Sequence, residues 1–145
     1  MAKEAQNFRN HSKVVPAFHL FVLPMLIVNL VSMIVFACRH FSYRSVEGAL
    51  TALALLLGIM YARMFALKVQ DRVIRLEMRL RLAEILPADL RGRIGEFTLA
   101  QLIALRFASD AELPALARKV LDEKIGERKA IKAMVQNWQA DELRA

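Results

Sequence analysis

The chain has 145 residues, 57% of them hydrophobic and 24% charged, with 21 basic and 14 acidic side chains and a net charge of +7. Its single cysteine excludes an intrachain disulfide and a zinc site built from paired cysteines. No Lys, Arg, Asp or Glu lies between Val14 and Cys38 or between Gly48 and Ala62. The positive charge is therefore better explained by membrane topology and by contact with anionic lipid than by binding of nucleic acid.

The first charge-free window predicts a transmembrane helix over residues 14–38. This window exceeds the roughly 20 residues that a helix needs to cross a bilayer core, and residues 1–13 before it are expected to form a cytoplasmic segment. Pro24 lies inside the window and removes a backbone donor, which predicts a local disturbance of the helix. Cys38 follows a run that faintly resembles a lipidation box, but the long apolar region before it favours an unmodified cysteine.

The second charge-free window predicts a transmembrane helix over residues 48–67, with Arg63 reaching the headgroups by snorkelling. Residues 39–47, "RHFSYRSVE", then form an external loop. Lysines and arginines are concentrated before the first window and after the second. The positive-inside rule therefore places both termini in the cytoplasm.

Small and polar side chains inside the windows suggest how the spans pack. Ala54, Gly58 and Ala62 are spaced by four and predict a packing seam against the first span or another subunit, unless they are chance alanines in an alanine-rich helix. The polar residues within the spans include His19, Asn29, Thr51 and Arg63. We expect a hydrogen bond between Asn29 and Thr51. We also expect a solvated or capping role for His19, since a proton path needs several facing ionisable groups.

The segment 68–86 predicts an amphipathic helix that continues the second span into the cytoplasm until Pro87. An apolar stripe recurs in steps of four and three, and it consists of Val69, Val73, Leu76 and Leu80. A second apolar row contains Ile74, Met78, Leu82 and Ile85, and a basic face contains Lys68, Arg72, Arg75 and Arg79. Asp71–Arg75 and Glu77–Arg81 have the spacing of helix-stabilising ion pairs.

The broad apolar face of this segment favours packing on the protein's own C-terminal module or on a second copy. The stripe covers only about two heptads, and a convincing coiled coil needs three or four. The basic face is expected to lie near anionic headgroups at the same time. Nucleic acid is not expected as a partner, because Asp71, Glu77 and Glu84 are interleaved with the arginines.

Residues 87–145 predict a helical module, a small bundle of three or four helices. Breaker residues open it, and the apolar spacing that follows predicts helices over Leu99–Phe107, Asp110–Lys124 and Glu127–Ala140. Thr98 is placed to cap the first of these helices. Ser109 with Glu112 has the spacing of a capping box before the second.

The module carries no recognisable chemistry. The sequence has three histidines and no catalytic set, phosphate-binding loop or metal motif. We therefore expect no catalytic, cofactor-binding or metal-binding residue and no cofactor. Trp138 is expected in the core stripe of the last helix, in preference to a role as a binding anchor.

These features together predict an all-α fold: a two-helix transmembrane hairpin, whose second helix extends into the cytoplasm, followed by a small C-terminal helical bundle. The favoured function is that of a non-enzymatic membrane protein that anchors a cytoplasmic helical module for protein interaction, with self-association as one option. Two alternatives stay open. One is an accessory or regulatory subunit of a transporter or other membrane complex, and the other is a tether to anionic lipid or nucleoid through the basic extension.

Three segments resemble an uncharacterised family of short bacterial two-span inner-membrane proteins: "QNFRNHSKVVPAFHLFVLP", "LALLLGIMYARMFALKVQDRVIRLEMRLRL" and "LIALRFASDAELPALARKVLDEKI". The likeness covers nearly the whole chain. It implies a bacterial inner (cytoplasmic) membrane location. It implies no activity and no catalytic or ligand-binding residue.

Overall fold

The computed structural model describes residues 15–140, and within this range the chain forms helices and no β-strand. The all-α prediction is therefore confirmed. The chain divides into two compact units, one from Lys13 to Leu67 and one that includes Lys68 to Ala145. The predicted cytoplasmic segment 1–13 lies outside the described residues, as do residues 141–145 of the predicted module.

The first unit opens with a π-helical segment, Ala17–Val22, that passes directly into helix α1, Leu23–Arg39. Pro24 is the second residue of α1. Because proline has no N–H and its ring clashes with the carbonyl four residues before it, an α-helical register cannot pass through this point undisturbed. The predicted disturbance therefore takes the form of a π-helix, a known way of accommodating an irregularity without ending a helix.

Helix α2, Tyr43–Ile85, begins only a few residues after α1 ends. Ser42 and Ser45 cap it reciprocally, because the backbone N–H of each donates to the hydroxyl of the other at 2.9 and 3.2 Å. The helix therefore starts well inside the segment 39–47 that the sequence predicted to be a loop. The error arose because the charged residues of that segment were interpreted as loop, whereas a pair of serines three apart is a helix-start signal.

Helix α2 has 43 residues without a break and ends two residues before Pro87, so the helix continues past the second charge-free window as predicted. In its first part, Ser45 and Ala52 are buried, and the Cα of Gly48 is so close to α1 that an added Cβ would lie 3.5 Å from Met33 Sδ. The segments Ala17–Arg39 and Tyr43–Ile85 are both long and apolar enough to cross a membrane.

The second unit continues from the last part of α2 through four short α-helices. These are α3, Ala88–Arg91; α4, Leu99–Leu105; α5, Leu113–Asp122; and α6, Arg128–Met134, with a 3-10 turn at Ile94–Glu96 between α3 and α4. Thr98 caps α4 with a complete capping box to Gln101, as predicted for Thr98. All three predicted helices of the module exist, and each is shorter than its predicted range.

The core of this unit joins α2 to the short helices. Its fully buried side chains include Leu82 from α2, Leu90 from α3, Leu102 and Leu105 from α4, Leu113 and Val120 from α5, and Ile131 from α6. Burial of a leucine or isoleucine side chain contributes about 1.5–3 kcal/mol. One apolar row of α2 therefore acts as the surface on which the C-terminal helices pack.

The segment after α6 is not helical, which corrects the predicted helix Glu127–Ala140. Glu112 accepts hydrogen bonds from the backbone N–H groups of Gln136 and Asn137, at 3.0 and 3.1 Å, and thereby draws the chain away from a helical path. Trp138 then forms an isolated bridge with Ala108 and stacks on Phe107, with ring centroids 4.4 Å apart. Trp138 is half-buried and lies outside the core cluster, which corrects its expected place in the core stripe of the last helix: it packs on Phe107 through this bridge instead.

Candidate functional site

The last part of α2, from Lys68 to Ile85, has two apolar sides with different surroundings. On one side Ile74, Met78 and Leu82 are only 6%, 3% and 0% exposed, because the C-terminal helices cover them. Ile85 packs against the same core. The prediction that α2 packs on the chain's own C-terminal module is correct for this row.

The other side is the apolar stripe, and the C-terminal helices leave it uncovered. Val69, Val73, Leu76 and Leu80 are 60%, 48%, 60% and 63% exposed. This corrects the expectation that stripe and buried row form one broad packing face. At 100° per residue the two rows lie about 165° apart around the helix, so one C-terminal module cannot cover both.

The stripe is also distinctive within its unit. Among the described residues after Leu67, the four stripe residues are all of the exposed large hydrophobic side chains. Every other large apolar side chain of this part is at least half-buried. Scattered single exposed hydrophobics are common on protein surfaces, whereas a contiguous apolar row rimmed by charge is typical of an interaction surface.

Charged side chains border the stripe on both edges. Lys68, Arg72 and Arg75 of the predicted basic face are exposed, and Arg79 is half-buried, with its Nε lacking a hydrogen-bond partner among the described residues. On a helical projection the arginines lie on one edge of the stripe, whereas Glu77 and Glu84, both exposed, lie on the other. The stripe therefore has one basic and one acidic edge.

Arg81 has a role that the sequence did not indicate. Its guanidinium donates to the Asp110 carboxylate at 2.6 Å, to the carbonyl oxygens of Arg106 and Ala108, and to Gln139 Oε1. This corrects the expected Glu77–Arg81 pair, because Arg81 reaches the loop after α4 instead. No signal in the sequence identifies a partner 29 residues away. Arg75 and Asp71 likewise form no ion pair within residues 15–140.

Two further sets of ion pairs tie the short helices of the second unit together. The Arg118 guanidinium donates to the Asp89 carboxylate at 2.6 Å and lowers the pKa of Asp89 below its ordinary value. The Asp122 carboxylate accepts from Arg93 at 2.8 Å and raises the pKa of that guanidinium, which therefore stays charged. All these side chains are substantially exposed, so the pairs are screened by salt.

In the first unit, the predicted small-residue seam does not pack against α1. Ala54, Gly58 and Ala62 are exposed, and a Cβ added at Gly58 would meet nothing within 4 Å. The side of α2 that faces α1 carries Gly48 and the buried Ser45 and Ala52 instead. The alternative of packing against another subunit stays a prediction.

Four of the polar residues of the spans are placed in two groups. His19 Nδ1 lies 3.0–3.2 Å from the backbone of Val15, the local contact expected of a capping histidine, and Arg63 lies over the Phe18 ring at 5.7 Å. Asn29 and Thr51 both line an open groove between α1 and α2. The predicted hydrogen bond between them is not formed within the part of the chain that the structure describes.

Between residues 15 and 140 no group of three or more His, Cys, Asp or Glu side chains is placed to hold a metal ion. The residues with an uncommon environment are instead the stripe and its charged edges. We therefore take the stripe as the candidate functional site.

Comparison with known proteins gives a match to a protein family. The model of a family of unknown function, DUF6526, matches residues 1–145, the whole of the sequence. No curated protein and no solved structure matches the chain. The family description names no activity, substrate or partner.

Proposed function

The chain belongs to DUF6526, a family of unknown function, and because membership brings no activity with it, we propose a function from the two sides of α2. The protein is a non-enzymatic membrane protein whose two spans anchor a helical unit that binds another protein through the stripe. The observation that carries this proposal is the exposure of all four stripe residues beside an otherwise covered core.

The membrane part of the proposal rests on the two apolar helices. The segment Ala17–Arg39 leaves many large apolar side chains exposed, among them Leu20, Val28 and Val31. An apolar helix surface that its own chain leaves uncovered is suited to lipid. The concentration of basic residues after the second charge-free window supports an arrangement with both termini in the cytoplasm, and the bacterial inner membrane is the proposed location.

Cys38 allows a direct test of this topology. It is the single cysteine and it is exposed near the end of α1. We expect the protein to stay in the membrane fraction after alkaline carbonate extraction. In spheroplasts, a membrane-impermeant maleimide should label Cys38 without permeabilisation. Extraction by carbonate would contradict the two spans, and labelling only after permeabilisation would reverse the proposed orientation.

The binding part of the proposal is tested at the stripe itself. A photo-crosslinking amino acid is placed at Val73, on the stripe, and as a matched control at Lys119, an exposed position on α5. Irradiation of intact cells should give a protein adduct of defined mass from position 73 and none from position 119. Equal yields at both positions, or none at 73, would contradict a binding role for the stripe.

A second role is favoured by one observation, the exposure of Lys68, Arg72 and Arg75 on the first turns after the second span. We infer that these side chains contact anionic headgroups, each basic residue contributing about 1 kcal/mol near such a surface. Replacing the three by Gln should weaken salt-sensitive binding to vesicles that contain phosphatidylglycerol. The role of an accessory subunit in a transporter stays an alternative that no observation in residues 15–140 favours.

A further inference from the structure

The stripe has the register of a two-stranded coiled coil. Its residues recur in steps of four, three and four, which places Val73 and Leu80 at heptad position a, and Val69 and Leu76 at position d. β-branched residues at a and leucine at d favour two strands. The central pair, Val73 and Leu76, follows this preference.

The same register places charges of opposite sign on the two edges of the stripe. Arg72 and Arg79 occupy successive g positions, and Glu77 and Glu84 occupy the e positions five residues after them. In a parallel two-stranded coil, each g residue faces the e residue of the next heptad on the other chain. Arg72 of one copy would then face Glu77 of a second copy, and Arg79 would face Glu84.

The opposite orientation is disfavoured by the same charges. In an antiparallel pair, g residues face g residues and e residues face e residues. Arginine would oppose arginine on one edge and glutamate would oppose glutamate on the other, which is destabilising. The charge pattern is therefore complementary to itself only when the two helices run in the same direction.

From this self-complementarity we infer that the stripe binds the stripe of a second copy of this chain, as a short parallel coiled coil. The inference rests on the proposed membrane anchoring, because two copies inserted with the same topology present their α2 helices in the same direction. Confinement to one membrane also raises the effective concentration of the copies, and this offsets the shortness of a seam of about two heptads.

The structure leaves this surface free for a second copy. The C-terminal helices lie on the opposite side of α2, about 165° away around the helix, so they do not obstruct the seam. Within the described range, the side chains of the four edge residues enter no ion pair: Arg72, Glu77, Arg79 and Glu84. Among residues 15–140, the charges that the coiled coil needs are therefore not engaged elsewhere.

The first experiment locates the seam by disulfide crosslinking of the full chain in native membranes. In a Cys38→Ser background, one variant carries Leu76→Cys at position d. The control carries Arg75→Cys, the adjacent residue, which is exposed but turned away from the seam. Mild oxidation should give at least about fivefold more covalent homodimer from position 76, since only a and d residues face each other across a coil. Equal yields would overturn the inference.

The second experiment tests direction by exchanging charges. Arg72→Glu and Glu77→Arg each place like charges at positions 72 and 77, which face each other between the two copies. Because the pair occurs twice in a symmetric dimer, each variant should lower homodimer association about tenfold. The double variant R72E/E77R restores opposite charges in a parallel pair and should recover association to within about twofold. In an antiparallel pair, Arg72→Glu alone would instead place opposite charges at positions 72 and 79 and raise association, which would overturn the parallel direction. Failure of the double variant to recover would overturn the parallel pairing. The emission of Trp138 verifies that each variant retains the folded C-terminal unit.

The outcomes separate this inference from the proposed function. If the photo-crosslinker at Val73 yields an adduct with a different protein and Leu76→Cys yields no homodimer, the second copy is excluded and the binding role of the stripe stands. If carbonate extracts the chain from membranes, the proposed membrane anchoring is contradicted, and the coiled-coil inference loses the premise on which it rests. If Leu76→Cys gives the homodimer and R72E/E77R recovers association, the result supports both the binding role of the stripe and the parallel coiled coil.

Discussion

Arg81 on α2 donates two hydrogen bonds to the Asp110 carboxylate, which lies 29 residues further along the chain, from Nε at 2.9 Å and from Nη2 at 2.6 Å. The same guanidinium also holds two carbonyl oxygens of the loop between α4 and α5. Arg81 is mostly buried whereas Asp110 is largely exposed, so the bonds to the carbonyl groups are the better shielded part of this network.

Replacing Arg81 should therefore cost more than replacing any other arginine of α2. Arg81→Ala leaves the carbonyl oxygens of Arg106 and Ala108 without their donor, and we expect a loss of about 2 kcal/mol in the free energy of unfolding. Arg75→Ala, at an exposed position, should change it by less than about 0.5 kcal/mol. Urea unfolding of the full chain in detergent, followed by Trp138 emission, measures both. Equal effects would show that the network contributes no stability.

The two apolar sides of α2 predict opposite outcomes for neighbouring leucines. Leu82 is fully buried and Leu80 is 63% exposed. Leu82→Ala leaves a cavity in the core and should destabilise the unit by about 2–5 kcal/mol. Leu80→Ala should cost less than about 0.5 kcal/mol when unfolding is measured in dilute detergent solution. A large loss from Leu80→Ala under those conditions would mean that the C-terminal helices cover the stripe.

The ion pair between Asp89 and Arg118 predicts a pH dependence of stability. Because Arg118 lowers the pKa of Asp89, the folded state favours the carboxylate. The contribution of the pair is therefore present above about pH 4, the ordinary pKa of an aspartate, and is lost as pH falls through the lower pKa of the folded state. Asp89→Asn should lower the unfolding midpoint at neutral pH, and the difference from the unsubstituted chain should vanish under acidic conditions. A constant difference would contradict the ion pair.

The close approach of Gly48 to α1 predicts that side-chain size decides the packing there. Alanine fits, because its Cβ would lie 3.5 Å from Met33 Sδ, whereas Gly48→Leu must displace α1 at a cost of about 1–3 kcal/mol. Gly58→Leu is the matched control, since a Cβ at Gly58 meets nothing within 4 Å. Distances between spin labels at Ser32 and Leu53 should change in the first variant and not in the second. Unchanged distances in both would contradict the contact.

The sequence predicted those features that depend on local pattern. The charge-free windows located α1 and the first part of α2, and the Thr98 cap follows from a side chain three residues from its partner. The grouping of Ile74, Met78, Leu82 and Ile85 into one apolar row was correct because a 3.6-residue period identifies which residues share a face. Each of these signals lies within one short segment and does not depend on contacts with distant parts of the chain.

Contacts between distant residues could not be predicted in the same way. The spacing of Arg81 suggested Glu77, four residues away, and the guanidinium was instead drawn to a loop whose carbonyl groups the fold brings near. Periodicity also showed two apolar rows on α2, but it did not show on which of them the C-terminal helices pack. The answer depends on how several short helices pack together, and the residue pattern of a single helix carries no information on that packing.

Gln139 reaches Arg81 across 58 residues, and its backbone N–H donates to Phe107 at 2.7 Å beside the stacked ring of Trp138. During synthesis, the buried row of α2 therefore emerges long before the residues that close the unit. At about 5–20 residues per second this interval lasts on the order of 3–11 seconds. A chain that stops before Trp138 cannot complete the closure, and we expect quality-control proteases to degrade it sooner than the full-length protein.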